Sequence, residues 1–582
     1  MKLKIPISIV AIVAVVAFFA FSQSKRKAFA AAEDFPRGAL VYLQISDLPA
    51  FIKLWNESNF KEKYTASENF KDISKRHLGL KLASRWQEFN EAAGFPIDFA
   101  ALAGLTENRA AIALYDVGKL EFVFVAPVSE ELFAATKFVQ NQANFTEETL
   151  ADGTIIYRAK IAADRGRQNQ ELIFTNAKGR FVLATSEKLL AATLTNINGD
   201  KTKNRLSDEP SFQLLSEKTE THAATVWVNQ QVLNDDYYFK RYWLMADAEN
   251  LKNIRAGVFD FEMQDEKFVE RRKFLLDQKI DSAPVTPKET AEMISRLPAD
   301  IPFYSLQSAN AKTIDAAIEK TIFPRRRIEP KQKSRQRSYY SSFSDYDDSS
   351  YHDYDSLDET FDETIDEADE NEQVERREID IDFAKLLQAA NPRAVLTFTE
   401  PEILTAPLFV EFRHAAVFRL ASPAAFNPES FEAAIEKNLL DKVSISAPGA
   451  KLSWETKSEN DASWRELQLP MLEWKIIYLL RGNELILTDN AEFLTEIPAE
   501  RTSPAEEKQT SAFDKLSVLN LEQRENAYYQ IFAELPEENV ADDFFMSNVK
   551  SLLEAAPEIK KISIKELYSQ NFIDEEITVN LK

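Results

Sequence analysis

The chain contains no cysteine among its 582 residues. This absence excludes disulfide bonds, thiolate metal sites, a cysteine nucleophile and a lipidated amino-terminal cysteine. Glycine is scarce as well, with 12 residues, and neither G-x-G-x-x-G nor G-x-x-x-x-G-K-[ST] occurs. Because phosphate-cradling loops need glycine for close approach of the backbone, we do not expect nucleotide binding through either loop.

Histidine is also rare, and the four residues His77, His222, His352 and His414 are far apart in the sequence. The H-E-x-x-H motif of zinc proteases and the G-x-S-x-G motif of serine hydrolases are both missing. A Ser/His/Asp triad assembled from distant residues stays an alternative. The net charge of −24 opposes binding to phosphate backbones, so we expect no nucleic-acid partner. The sequence predicts no metal and no cofactor.

The longest apolar run, residues 5–21, carries no charge and is followed by three basic residues at 25–27. Its length matches that of a helix crossing a bilayer. We therefore predict that residues 1–30 are an N-terminal membrane anchor or signal segment. The favoured arrangement is a single-pass protein of the bacterial inner membrane with its soluble part in the periplasm. Secretion after cleavage near Ala30 is the alternative, because residues 28–30 fit a small-x-small cleavage pattern.

An internal duplication organises the rest of the chain. Four pairs of stretches recur in the same order: residues 35–42 with 297–304, 97–100 with 381–384, 172–186 with 476–490, and 235–238 with 542–545. Alternating apolar and polar residues and short connections favour antiparallel strands. The sequence therefore predicts an α+β fold of two related modules, residues 34–285 and 290–582. Each module is expected to be a mainly antiparallel sheet covered on one side by helices.

Several elements follow from this reading. Helices are predicted over residues 48–55 and 311–322, and Ser186 and Asn490 are predicted to be helix N-caps. Each module is expected to end in two alternating strands, at residues 254–263 with 268–276 and at residues 559–567 with 576–581. A groove between the two modules is the expected place for a ligand.

Residues 324–378 interrupt the second module with a basic stretch followed by an acidic stretch rich in tyrosine. Such a segment has too few apolar residues to offset chain entropy, so we expect a disordered charged insertion. Two other interpretations stay open. Carboxylates at Asp353, Asp355, Asp358 and Glu359 could bind calcium, and the tyrosines could bind another protein.

Paired acidic residues are the remaining candidates for chemistry. Asp235 and Asp236 occur at a point of the first module that corresponds to Asp542 and Asp543 in the second. Acidic residues at a helix start are stabilised by the helix dipole and can cap free N–H groups. A pair of carboxylates is also what glycoside hydrolysis requires. We favour the capping interpretation and assign no catalytic residue.

The opening at residues 35–42 after the apolar segment, together with the hairpin ending at residues 182–186, resembles a family of exported bacterial envelope proteins with no assigned activity. The resemblance implies an envelope location for the region from Phe35 onward. It brings no catalytic or binding residues to this chain, and the charged insertion departs from the family's simple pattern.

Together these features favour a membrane-anchored, extracytoplasmic binding or scaffolding protein, with the membrane and envelope proteins as expected partners. Whether it is an enzyme is left open, although the missing motifs argue against one. The alternatives are an envelope hydrolase with a carboxylate site and a carrier of an apolar ligand. The sequence does not identify a small-molecule ligand.

Overall fold

A computed structural model describes most of the chain. The described residues are 29, 31–57, 65–75, 77–106, 108–161, 170–199, 204–235, 253–264, 267–280, 283–298, 301–322, 382–403, 410–443, 452–459, 462–468, 475–498, 511–521 and 559–581. The predicted anchor at 5–21 and the charged insertion at 324–378 lie outside them. Among the described residues, no helix has the length and apolar character needed to cross a membrane.

Strands dominate the described residues, and every strand pair among them is antiparallel. In chain order the strands are β1 (Val41–Ile45), β2 (Ala110–Asp116), β3 (Glu121–Pro127), β4 (Thr146–Thr149), β5 (Ile155–Ile161), β6 (Gln170–Ala177), β7 (Arg180–Ala184), β8 (Ala224–Val228), β9 (Ile254–Gln264), β10 (Lys267–Ile280), β11 (Phe303–Ser308), β12 (Pro392–Ile403), β13 (Val410–Leu420), β14 (Trp454–Glu459), β15 (Ala462–Gln468), β16 (Lys475–Arg481), β17 (Glu484–Thr488), β18 (Lys515–Asn520) and β19 (Ile559–Leu581).

Helices connect and cover these strands. They are α1 (Leu48–Glu57), α2 (Glu68–Lys75), α3 (His77–Ala93), α4 (Phe99–Ala103), α5 (Glu130–Ala135), α6 (Lys137–Gln140), α7 (Glu187–Ile197), α8 (Pro210–Ser216), α9 (Gln230–Leu233), α10 (Pro287–Ile294), α11 (Ala311–Ile322), α12 (Phe383–Leu387), α13 (Pro428–Val443) and α14 (Glu492–Glu496). The prediction of an α+β fold built on antiparallel strands and helices is confirmed. The predicted helices at residues 48–55 and 311–322 are present as α1 and α11.

Strand pairing follows one order in β1–β10, called the first half, and a similar order in β11–β19, called the second half. In the first half the neighbours run β4, β5, β6, β7, β3, β2, β1, β8, β9, β10. In the second half they run β14, β15, β16, β17, β13, β12, β11, β18, β19. Pairing of β10 with β19 joins the two series into one sheet. The two halves thus meet edge to edge.

Both faces of the sheet are buried, which corrects the expectation of helices on one side only. Phe181 and Leu183 of β7 pack in a core with α1, α3 and α6, while Val182 and Ala184 pack in a second core with α7 and α8. The second half has the same three layers, with α11, α12 and α13 on one face and α10 and α14 on the other. Continuous apolar runs such as that of β7 are typical of strands buried on both faces.

Local signals shared by the two halves explain several element boundaries. Asp98 caps α4 by accepting a hydrogen bond from Ala101 N, and Asp382 caps α12 by accepting from Lys385 N. Ser186 caps α7 as predicted, accepting from Leu189 N. Asn490 was expected to be an N-cap, but α14 begins only at Glu492, and the Asn490 side chain accepts from Glu492 N at 2.8 Å. The capping signals therefore locate these helices to within about a residue.

The end of the chain differs from the prediction of two short strands. Residues 559–581 form the single strand β19, which pairs with β18 through residues 561–566 and with β10 through residue 570 and residues 572–580. Gln570 is paired with Ile280 beyond a register shift and adopts a positive φ of 48°. No Asn-Gly or Gly-rich turn is present at this point to reverse the chain, so the irregularity is absorbed locally and the strand continues.

Three pairs of opposite charges lie directly across the β10–β19 junction. Arg271 is opposite Glu576, Arg272 is opposite Glu575, and Lys273 is opposite Asp574. Arg272 Nη1 is 3.2 Å from Glu575 Oε2, and Arg271 Nε is 3.5 Å from Glu576 Oε2. Lys273 is ion-paired with Asp574. Opposite charges at directly facing positions stabilise an antiparallel pair and help to fix its register.

Candidate functional site

The acidic pairs singled out in the sequence are mostly outside the described residues. Asp235 follows α9 and is exposed, and its backbone N–H donates to Val232 O at 3.1 Å. Asp236, Asp542 and Asp543 are not described. The helix-capping and catalytic interpretations of these pairs, like the calcium and tyrosine interpretations of the charged insertion, therefore stay predictions.

His222 lies in a network of charged side chains on one face of the first half. Its Nδ1 contacts Asp260 Oδ2, while Asp260 Oδ1 accepts hydrogen bonds from His222 N and Thr225 Oγ1, both at 2.8 Å. Asp260 is completely buried. The hydrogen bond between the His222 and Asp260 side chains raises the pKa of His222 despite the opposing effect of burial. His222 Nε2 is 3.6 Å from Glu262 Oε2, which in turn accepts from Arg271 Nη1 at 2.7 Å.

This network does not have the arrangement of a Ser/His/Asp triad. A triad requires a hydroxyl at the imidazole nitrogen opposite the carboxylate, and at His222 that nitrogen faces Glu262. His414 is different again, because its Nδ1 is 3.0 Å from Thr399 Oγ1. His77 is the first residue of α3, and His352 is not described. Among the described residues, no group of three or more His, Asp or Glu side chains is placed to hold a metal ion.

A cleft of about 400 Å³ lies among the described residues of the second half and is a candidate ligand site. This volume lies within the range of small-molecule pockets in proteins. Its lining combines aromatic, aliphatic and charged side chains: Phe426, Pro428, Glu429, Glu432, Ser463, Trp464, Arg465, Tyr478, Leu479 and Leu480. The cleft lies beside α13, β15 and β16, and hence within one half of the sheet, whereas the sequence predicted a ligand groove between two modules.

Three polar side chains form a connected group in this cleft. Arg465 makes a bidentate ion pair with Glu432, with Nε 2.7 Å from Oε1 and Nη2 2.8 Å from Oε2. Tyr478 Oη donates to Glu432 Oε1 at 2.6 Å. Arg465 Nη1 donates to Thr456 Oγ1 at 2.8 Å. The paired fork geometry fixes the guanidinium and the carboxylate relative to each other.

Neighbouring elements position each member of this group. Arg465 of β15 is directly opposite Tyr478 of β16, so the two side chains share one face of the sheet. Phe431 and Ile435 of α13, four residues apart, are buried against that face. Glu432 follows Phe431 and therefore lies beside the sheet surface.

The electrostatics of the group follow from its hydrogen bonds and partial burial. Burial opposes ionisation of Glu432, but hydrogen bonds from Arg465 and Tyr478 outweigh it and lower the pKa of the carboxyl. Burial and the hydrogen bond to Glu432 raise the pKa of the Tyr478 hydroxyl. The hydrogen bond to Glu432 raises the pKa of Arg465. The site is therefore an ion pair with a neutral phenol at neutral pH.

The first half has a different composition at the corresponding place in the pairing order. Phe174 of β6 is opposite Tyr157 of β5 and Leu183 of β7, as Tyr478 of β16 is opposite Arg465 of β15 and Leu487 of β17. The Phe174 ring is surrounded by other rings, with centroid distances of 4.8 Å to Tyr157, 4.9 Å to Phe145 and 5.3 Å to Phe138. The first half thus packs this place with aromatic rings, and the second half places a polar group there.

Sequence reasoning did not identify Glu432, Arg465 or Tyr478. One usable signal was present, because the matched hairpins at residues 172–186 and 476–490 align Phe174 with Tyr478. A phenol replacing a core phenylalanine calls for a hydrogen-bond partner. Nothing in the sequence indicates that Glu432 would supply it.

Comparisons with known proteins do not identify a function for this cleft. No protein-family model matches the chain, and no curated protein matches it. Among solved structures, crystal form I of TP0453 matches with a TM-score of 0.23 and 11% identity, covering 47% of this chain and 86% of that one. Crystal form III of TP0453 gives a TM-score of 0.20 and 10% identity over 46% of this chain and 86% of that one. These scores are too low to support an argument, and the resemblance to an envelope family stays a prediction.

Proposed function

We propose that the protein is a membrane-anchored, extracytoplasmic binding protein in which the cleft of the second half takes up a small ligand. The cleft carries this proposal, because it combines a volume of about 400 Å³ with an oriented ion pair. Glu432 Oε2 accepts one hydrogen bond in the described network and can accept another from a ligand. Pro428 and Leu480 supply apolar contacts. A ligand with a hydrogen-bond donor and an apolar portion fits this lining best.

We further propose that the two halves are copies of one module. Three features support this: the similar order in which strands pair in the two halves, the equivalent aspartate caps Asp98 and Asp382, and the repeated sequence stretches. In such a pair, one copy can be specialised for binding while the other keeps a packed interior. The aromatic cluster around Phe174 and the polar group around Tyr478 fit this division.

The hydrolase and apolar-carrier alternatives have less support. A hydrolase would need a positioned acid and base or a nucleophile, and His222, His414 and Glu432 are each held by another side chain. A carrier of a wholly apolar ligand would leave the Glu432–Arg465 pair without a polar partner from the ligand. The partly polar lining therefore favours an amphipathic ligand.

Native mass spectrometry of the full-length chain, purified from envelopes in mild detergent, tests the proposal. We expect a bound small molecule on the wild type and its loss from Arg465→Met. Arg180→Met is a matched control, since Arg180 pairs with Asp34 at 2.7 Å in the first half with similar exposure. That variant should keep the ligand. A wild type that carries no ligand, or equal occupancy in both variants, would refute the cleft as the binding site.

A further inference from the structure

The described part of the chain starts with core residues. Phe29 is 4% exposed, and Ala32 and Phe35 are completely buried. The Phe29 ring packs edge-on against Phe212 of α8, with centroids 5.0 Å apart, and lies 6.2 Å from Tyr42 of β1. Phe29 therefore belongs to the hydrophobic core of the first half.

Backbone and charged contacts fix the same segment. Ala32 N donates to Phe29 O at 2.9 Å, and Leu206 N donates to Phe35 O at 2.8 Å. Asp34 pairs with Arg180 of β7 at 2.7 Å. The segment from Phe29 to Phe35 is therefore part of the folded domain.

The predicted apolar segment ends at Phe21, so residues 22–28 alone connect it to this core. A stretch of that length spans at most about 25 Å even when fully extended. It contains the basic residues 25–27, which are attracted to anionic lipid headgroups.

From these observations we infer that residues 1–30 are retained as a leader, and that the α8 end of the first half is held beside the bilayer. Cleavage near Ala30 would remove Phe29 and leave a cavity beside the Tyr42 and Phe212 rings, whose own centroids are 5.9 Å apart. Once the domain has folded, a protease could reach this bond only after the segment had come away from the core. The inference rests on the proposed membrane anchoring, and it adds the bilayer surface as the partner of a particular face.

Two measurements on the full-length chain test whether the segment is needed. Intact-mass analysis of the chain from membranes should find a mature protein that still begins with the leader. Phe29→Ala should lower the midpoint of thermal unfolding by about 5 to 10 °C, as expected for loss of a buried ring in a domain of this size. Phe29→Leu, which keeps an apolar side chain, should lower it much less. A mature chain beginning at Ala31, or equal midpoints for all three proteins, would overturn the inference.

A third measurement tests the orientation. The native chain has no cysteine, so single cysteines can be labelled without background. Gln213→Cys places a donor dye next to Phe212 on α8, and Lys457→Cys places one on β14 in the second half. In vesicles of phosphatidylcholine and phosphatidylglycerol with an acceptor lipid, energy transfer should be at least about twofold higher from position 213. Equal transfer from the two positions would overturn the orientation.

The outcomes separate this inference from the function on which it rests. A chain recovered from the soluble fraction with its leader intact would refute membrane anchoring, and with it this inference, whatever the effect of Phe29→Ala. A membrane-bound chain that is indifferent to Phe29→Ala and gives equal energy transfer would refute only the inference.

Discussion

Removal of the central cation at the β10–β19 junction should destabilise the protein strongly. Arg272 and Glu270 have side chains only 4% exposed, and Glu575 is 13% exposed. Arg272 Nε is 2.6 Å from Glu270 Oε1 and its Nη1 is 3.2 Å from Glu575 Oε2. Arg272→Met would leave two buried carboxylates facing each other without a cation. Breaking a buried ion pair in this way costs about 3–5 kcal/mol, a large part of the roughly 5–15 kcal/mol that stabilises a typical domain.

The cost should depend on pH in a defined direction. Burial raises the pKa of Glu575, although Arg272 partly offsets this effect. A carboxyl whose pKa is raised in the folded state binds its proton more tightly there than in the unfolded state. Its contribution to stability therefore falls as pH rises above the ordinary carboxyl pKa. Without Arg272 the pKa of Glu575 should rise further, so the loss of stability with rising pH should continue to higher pH. The difference in unfolding free energy between wild type and Arg272→Met should therefore be larger at pH 8 than at pH 5.

Urea unfolding followed by tryptophan fluorescence measures this difference. Both halves report on it, since Trp227 lies in the first and Trp464 in the second. Arg255→Met is the matched control, because Arg255 on β9 forms an exposed pair with Asp277 and should cost less than about 1 kcal/mol. If the two variants are equally stable, or if the cost of Arg272→Met does not change with pH, the reasoning about the junction is wrong.

Three smaller predictions concern single sites. The pKa of His222 is raised in the folded protein, so its stabilising contribution is complete below the ordinary histidine pKa of 6.5 and is lost as pH rises through the folded pKa. His222→Gln should therefore flatten the fall in the urea midpoint of unfolding above about pH 6.5. An unchanged pH profile would contradict this. Asp98→Ala and Asp382→Ala should each cost about 1 kcal/mol through loss of an N-cap, with Asn and Ser replacements costing less. Gly94→Ala should cost at least about 1 kcal/mol, since Gly94 has a φ of 77° and an added Cβ would lie 2.0 Å from Asn144 Nδ2; a neutral thermal midpoint would count against it.

Local patterns in the sequence were sufficient for many elements. The apolar period of residues 311–322 and the N-cap at Ser186 depend on neighbours within a few residues, and both predictions are confirmed. The hairpin at Lys178 and Gly179 was also accessible, because both residues adopt positive φ and glycine favours that conformation.

Features that depend on register across the sheet were not accessible. The basic run 271–273 and the acidic run 574–576 each look like an ordinary solvated strand face when read alone. Only the pairing of β10 with β19 places them opposite each other. Glu432 and Arg465 likewise meet through the packing of a helix on a sheet, a contact that carries no local sequence pattern.

The long separation of β10 and β19 in the sequence has a consequence for how the protein is made. The contact between Arg272 and Glu575 spans 303 residues, so β10 gains this neighbour only after the intervening residues and β19 have been synthesised. During that interval an unpaired strand edge is open to association with other nascent chains. Three consecutive cations on that edge would repel another copy of the same edge and attract the acidic stretch of β19. They would therefore protect the growing chain against aggregation until β19 is synthesised.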